Sequence, residues 1–135
     1  MKPFEGVEGI FQAIKSQGLP MGILTSNTFE IVGKFLDKHN WRSYFPLLER
    51  SGRINGKSKV LKKILQEHGW KAEETIYIGD EARDIVAANK TDMPSIAVTW
   101  GLNTRRLLAK QNPTYIVETP AKLGELLGQL TVVNA

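Results

Sequence analysis

Asp80, Glu81 and Asp84 crowd one short run, Thr75-Ile-Tyr-Ile-Gly-Asp-Glu-Ala-Arg-Asp84. Carboxylates packed this closely repel one another unless a cation sits among them, and an all-oxygen donor set favours a hard ion such as Mg²⁺. Ile76, Tyr77 and Ile78 suit a strand, Gly79 lets the chain turn, and Ile85, Val86 and Ala88 give the stretch from Ala82 to Ala88 a helical apolar spacing. The acids therefore stand where a strand ends and a helix opens. Helix capping is the plainer use of the same residues, with Asp80 as the cap, Glu81 and Asp84 against the positive end of the helix, and Arg83 neutralising one of them.

A second strand, Met21-Gly-Ile-Leu-Thr25, is apolar without alternation, as expected of a parallel strand covered on both faces, and it ends in Ser26-Asn27. Gly56 leads into a helix from Lys57 to His68 that Gly69 closes. A helix of about twelve residues runs about 18 Å, close to the length of the strand it packs on, so its start lies beside that strand's carboxyl end. This brings Lys57 near Asp80. Ligands of open α/β sheets bind along the carboxyl edge, so Ser26, Asn27, Lys57, Asp80 and Asp84 are expected on one rim. A hydroxyl backed by helix-start amides, an ammonium and an acid-held cation are what a phosphate group needs. Each member also has an ordinary use: Ser26 and Asn27 as caps for a helix starting at Thr28, Lys57 as an exposed lysine. His39 and His68 stand at helix ends and read as structural. Trp41, Trp70 and Trp100 read as packing residues, with Trp100 and Asn103 also candidates for the border of a substrate pocket.

Around these positions run a helix from Val7 to Gln17, stopped by Gly18, and a helix from Thr28 to His39. A short third-layer strand is expected from Tyr44 to Leu48, a buried strand from Ser95 to Thr99, and a short helix starting in Gly101-Leu-Asn-Thr. Tyr115 to Val117 reads as the last strand and Lys122 to Leu130 as the last helix. Helices and strands alternate without a repeat or long linker, which predicts one domain over residues 1–135, a three-layer α/β/α sandwich on a mainly parallel, Rossmann-like sheet.

The 135 residues are 41% hydrophobic and contain no cysteine and two histidines, which excludes disulfides and thiolate chemistry and leaves oxygen ligands for any metal. A net charge of +4 and a pI near 9.4 suit anionic ligands. Lys57, Lys59, Lys62 and Lys63 spread around their helix with no aromatic platform among them, so nucleic acid is not an expected partner. No run reaches the length of a membrane span, and Met1-Lys-Pro-Phe-Glu lacks a signal-peptide pattern, so the expected location is cytoplasmic.

The order Phe4-Glu-Gly-Val, Leu24-Thr-Ser-Asn27, Gly56-Lys57, Gly79-Asp-Glu-Ala-Arg-Asp84 resembles successive motifs of the haloacid dehalogenase superfamily. From Pro3 to about Leu127 the chain resembles the carboxyl-terminal part of a phosphatase core of the phosphoglycolate phosphatase-like branch. The resemblance implies Mg²⁺-dependent hydrolysis of a phosphate monoester, a small phosphorylated metabolite, through an aspartyl-phosphate. Ser26, with Asn27 beside it, would bind the phosphoryl group and Lys57 would neutralise charge on it. Asp80 would ligate Mg²⁺, Asp84 would support the metal through water or hold Lys57, and Glu81 would lie farther from the ion. In that family the nucleophile belongs to an Asp-x-Asp pair on a central first strand, between the Met21 and Ile76 strands, and a cap domain sets specificity. No Asp-x-Asp pair occurs in this sequence. The expectation is part of a longer phosphatase, incomplete in its central strand and cap and inactive alone. The competing accounts are a second copy or other partner that completes the sheet, and direct closure of the sheet. A non-catalytic phosphate- or metal-binding module, or a subunit-interaction module, derived from such an enzyme is the alternative function.

Overall fold

Left-handed residues and side-chain caps set the helix limits in the computed structural model, which describes residues 6–51, 56–101 and 103–133. Phe4 and Glu5, from the first of the four landmarks, lie outside the described residues. Helix α1 (Val7–Ser16) ends just before Gly18, at φ 75°, and α3 (Lys57–His68) closes on Gly69, at φ 66°. Glycine adopts that conformation without a steric penalty. Helix α2 (Phe29–His39) starts after Thr28, whose hydroxyl accepts the Ile31 amide at 3.2 Å. The remaining helices are α4 (Ala82–Lys90), α5 (Arg105–Ala109) and α6 (Pro120–Val133). Five strands, β1 (Gly22–Thr25), β2 (Leu47–Arg50), β3 (Tyr77–Gly79), β4 (Ser95–Val98) and β5 (Tyr115–Val117), pair only in parallel.

Two elements depart from the sequence expectation. Tyr44 does not open a strand: Arg42–Tyr44 form a tight 3₁₀ turn, held by Tyr44 N on Trp41 O at 3.0 Å and Phe45 N on Arg42 O at 3.1 Å. Phe11 of α1 draws this turn toward itself, packing on Trp41, Tyr44 and Phe45 with ring centroids 5.2, 5.7 and 4.9 Å away. The strand therefore begins past Pro46, and it belongs to the sheet rather than a third layer, with Leu47 opposite Gly22 of β1. Helix α5 starts at Arg105 rather than in Gly101-Leu-Asn-Thr, because the Thr104 hydroxyl accepts the Leu107 amide and caps it there.

Helices cover both faces of the sheet, as the three-layer reading requires. On one face Leu61 of α3 and Ala87 and Ala88 of α4 gather with Met93, and Leu24 of β1 and Tyr77 of β3 pack against them. On the other, Leu123 of α6 joins Ile96, Val98 and Val117, with Ile10 of α1 and Trp100 alongside. Ile85, Ala97 and Leu108 fill the space between α4, β4 and α5. All four residues of β4 are buried.

The strands form two separate sheets, β1-β2 and β3-β4-β5, with no pairing between β1 and β3 among the described residues. Among the described residues the sheet is not closed directly, and each of β1 and β3 thus keeps one edge without a strand partner, while Leu24 and Tyr77 rest on the same apolar cluster. Coverage falls off at this divide: Ile76 and Ile78 are 36% and 37% exposed, whereas Ile96, opposite Ile78 on β4, is fully buried. Among the described residues no helix is long and apolar enough to cross a membrane.

Candidate active site

Residues alternate faces along a strand, so Tyr77 and Gly79 of β3 turn toward α3 and α4 while Ile76 and Ile78 turn away. Helix α3 packs on α4 through Leu61, Ala87 and Ala88. That packing seats the first residue of α3, Lys57, on the first turn of α4, where its ammonium donates to Asp84 Oδ1. Both residues are nearly enclosed, at 6% and 4% exposure. The Tyr77 hydroxyl donates to the same oxygen at 3.2 Å, and the Glu81 amide donates to Oδ2 at 3.2 Å. Burial first, and then the Asp84 charge, pushes the Tyr77 phenol above its ordinary value, so it stays a neutral donor. A Cβ on Gly79 would come within 3.0 Å of Asp84 Cβ, Cγ and Oδ2. The strand therefore ends in a glycine because Asp84 occupies the space of a side chain there.

Asp80, Glu81 and Asp84 each offer a carboxylate oxygen, and these lie within 4.8 Å of one another. Capping explains part of this cluster. The cap of α4 is Glu81, in a reciprocal box with Asp84, and not Asp80. Glu81 is further held by Arg83, whose Nε sits 2.8 Å from Oε2 at an angle that makes an ion pair rather than a hydrogen bond, and whose Nη2 donates to Oε1 at 3.2 Å. That hydrogen bond is the main reason the Arg83 guanidinium holds its proton more tightly than usual. Asp80 takes no part in the capping box. Its carboxylate leans against the backbone of Gly101, where a Cβ would come within 3.0 Å of Asp80 Cβ, Cγ and Oδ2. An oxygen-only set with one carboxylate outside the helix cap fits Mg²⁺, which binds through one or two carboxylates and keeps several waters.

Ser26 is not a helix cap, since Thr28 does that work for α2. Instead Arg83 Nη2 donates to Ser26 Oγ at 3.3 Å, joining the end of β1 to the start of α4 across the divided sheet. A serine hydroxyl that accepts this bond still has its own proton to donate. Asn27 is bonded elsewhere: its amide donates to Thr25 Oγ1 at 3.0 Å and its carbonyl accepts from Arg50 Nε at 3.1 Å. Among the described residues no hydrogen bond ties Asn27 to Lys57 or to the acids. The fold thus brings Ser26, Lys57, Asp80, Glu81 and Asp84 into one connected group, with Asn27 at its margin. Sequence reasoning missed the Tyr77 hydroxyl and the Arg83 bridge; strand alternation, which puts Tyr77 on the side of Gly79, is the signal that could have found the first. His39 and His68 stack on Trp41 and Trp70 at 4.5 and 4.6 Å, remote from this chemistry in role. Trp100 packs on the core through Ile96, Val117 and their neighbours.

Residues 1–98 match the profile of the haloacid dehalogenase-like hydrolases. A phosphoglycolate phosphatase of Synechococcus elongatus is 34% identical over 127 residues, which cover 94% of this chain and 60% of that protein. The pyrophosphatase PpaX of Bacillus mycoides is 27% identical over 137 residues, covering 99% of this chain and 62% of the relative. Among solved structures, a predicted phosphatase from Clostridium acetobutylicum superposes with a TM-score of 0.85 at 25% identity, over 93% of this chain and 60% of the other. The chain spans about 60% of the length of these three proteins.

Proposed function

Because the chain belongs to the haloacid dehalogenase-like hydrolase family, we propose that it supplies the phosphate- and cation-holding half of a phosphate monoester hydrolase acting on a small phosphorylated metabolite. The relative named as a phosphoglycolate phosphatase supports that substrate class, and the one named as a pyrophosphatase supports hydrolysis at a phosphoryl group, there of an anhydride. One observation carries the proposal: an ammonium, Lys57, buried on Asp84 beside an oxygen-only acid cluster. A buried ion pair contributes little net stability once its desolvation is counted, so its placement at the carboxyl end of a strand favours a functional use.

In this account Ser26 donates its hydroxyl proton to a phosphoryl oxygen, and Lys57 balances the charge that spreads over those oxygens as the bond to the leaving group breaks. Asp84 holds Lys57, since both of its oxygens are engaged by Lys57, Tyr77 and the Glu81 amide. Asp80 would hold the Mg²⁺, with Glu81 and water completing its surroundings; when bound, the ion neutralises phosphoryl charge. Fixed charges and donors of this kind are the main source of rate in phosphoryl transfer. The attacking carboxylate would come from an added strand ending between Ser26 and Asp80, where β1 and β3 leave their edges unpaired.

The absence of an Asp-x-Asp pair from the sequence favours a second reading, a non-catalytic phosphate-binding or subunit-interaction module. Hydrolysis of an aryl phosphate with Mg²⁺ distinguishes the two. A polypeptide supplying the aspartate strand in cis or in trans turns over the substrate in the first reading and leaves it intact in the second. The first reading and a phosphate-binding module both require saturable binding of inorganic phosphate that Ser26→Ala weakens; a protein with no phosphate site contradicts both of these and leaves only subunit interaction.

A further inference from the structure

We propose that Gly101 and Asn103, on the turn after β4, position the Asp80 carboxylate. The proposal deepens the reading above and rests on Asp80 as the protein ligand of the cation. Three separate contacts converge on the Asp80 segment from this turn. The Asn103 amide donates to Asp80 O at 3.2 Å, and Asn103 Oδ1 accepts the Ala82 amide at 2.7 Å, which fixes the backbone on both sides of Glu81. Gly101 supplies the third, a bare Cα surface against which the Asp80 side chain lies.

The described residues that flank this turn are held on both sides. Thr99 N donates to Val117 O at 3.1 Å, extending the sheet register, and Trp100 is packed into the core beside Val98 and Val117. On the far side Thr104 is already committed as the cap of α5. Any side chain at position 101 must therefore displace the Asp80 carboxylate rather than the turn. Asn103 acts one step removed: without its Oδ1 the Ala82 amide loses its acceptor, and the segment that carries Asp80 loosens.

The test is a Mn²⁺ titration followed by electron paramagnetic resonance on the wild-type chain, Asp80→Asn, Gly101→Ala and Asn103→Ala, with ¹⁵N and ¹³C shifts recorded on the same samples. Groups that orient a metal ligand are worth roughly 10- to 100-fold in metal affinity. Gly101→Ala is expected to weaken Mn²⁺ binding by at least about tenfold and to move the Asp80 carboxyl ¹³C signal. Asn103→Ala is expected to weaken binding less and to unprotect the Ala82 amide, and Asn103→Asp, which keeps the acceptor oxygen, to restore that protection. A folded Gly101→Ala protein that binds Mn²⁺ as the wild type does overturns the proposal. If Gly101→Ala does not fold, Asn103→Ala decides: unchanged affinity with an unchanged Ala82 amide overturns it. Failure of the wild-type chain to bind Mn²⁺ would overturn the cation reading instead, and the Asp80 and Ala82 signals of the variants would still decide the positioning claim.

Discussion

Tyr77 and Lys57 donate to the same oxygen of Asp84, the phenol from 3.2 Å and the ammonium from the first turn of a neighbouring helix. A strand and two helices are thereby tied to one atom. Protein donors engage both oxygens of this carboxylate, which makes it an anchor for the cation of Lys57.

Removing the Tyr77 hydroxyl tests that anchor. Hydrogen bonds to charged groups are worth about 1.5–3 kcal/mol, so Tyr77→Phe is expected to lower stability to urea by about 2 kcal/mol near neutral pH. The alkaline limb gives an independent sign. Burial and the Asp84 charge raise the folded phenol above its reference value of 10.0. Its contribution is therefore fully present below that value and is lost as pH rises, because the unfolded tyrosine ionises first. Tyr77→Phe should flatten the loss of stability above pH 10, and an equally steep decline in the variant would contradict the assignment.

The Lys57–Asp84 pair predicts strong non-additivity. Breaking a buried pair from one side costs about 3–5 kcal/mol, whereas replacing both partners by apolar groups is often near neutral. Lys57→Met alone and Asp84→Leu alone should each be severely destabilising in urea melts, and the double variant should recover much of the loss. Additive losses would mean that the two charges do not depend on each other.

Thr28 and Ser26 separate structure from chemistry within three residues of chain. Thr28→Ala removes the cap of α2 and should cost about 1 kcal/mol with phosphate affinity unchanged. Ser26→Ala should leave stability within about 0.5 kcal/mol and weaken phosphate binding. The reverse pattern would return Ser26 to the ordinary role of a helix-start residue.

Exposed Ile76 and Ile78 beside an unpaired strand edge make a template for association. Sedimentation velocity should show the apparent mass rising with concentration, and Ile78→Lys should suppress that rise. A wild-type chain that stays monomeric across the range would show that these edges are not available to other chains.

Much of this was legible in the residues. Lys57–His68 and Tyr115–Val117 lie where periodicity put them, because α3 carries a clear apolar stripe ended by glycine and β5 is a short apolar run between polar turns. The meeting of Lys57 with the motif at Asp80 followed from helix and strand lengths alone. Local rules failed where a distant side chain decided, as when Phe11 drew Tyr44 and Phe45 out of the strand; the start of α5 was a local matter, set by the Thr104 hydroxyl directly before it. The Arg83 bridge to Ser26 and the fit of Asp80 against Gly101 depend on how side chains cross between elements 57 and 21 positions apart, respectively, in the chain. No periodicity encodes such crossings.

The central claim is that Lys57 is the cation that meets a bound phosphate. Calorimetric titration of inorganic phosphate into the wild-type chain and Lys57→Arg at low ionic strength, with Mg²⁺ present, tests it most directly. The arginine keeps a positive charge but lacks the compact ammonium that fits on Asp84. The expected result is saturable binding by the wild type and a loss of at least about tenfold in the variant, since one tenfold step is only about 1.4 kcal/mol of contact with the anion. Equal affinity in two folded proteins would contradict the account.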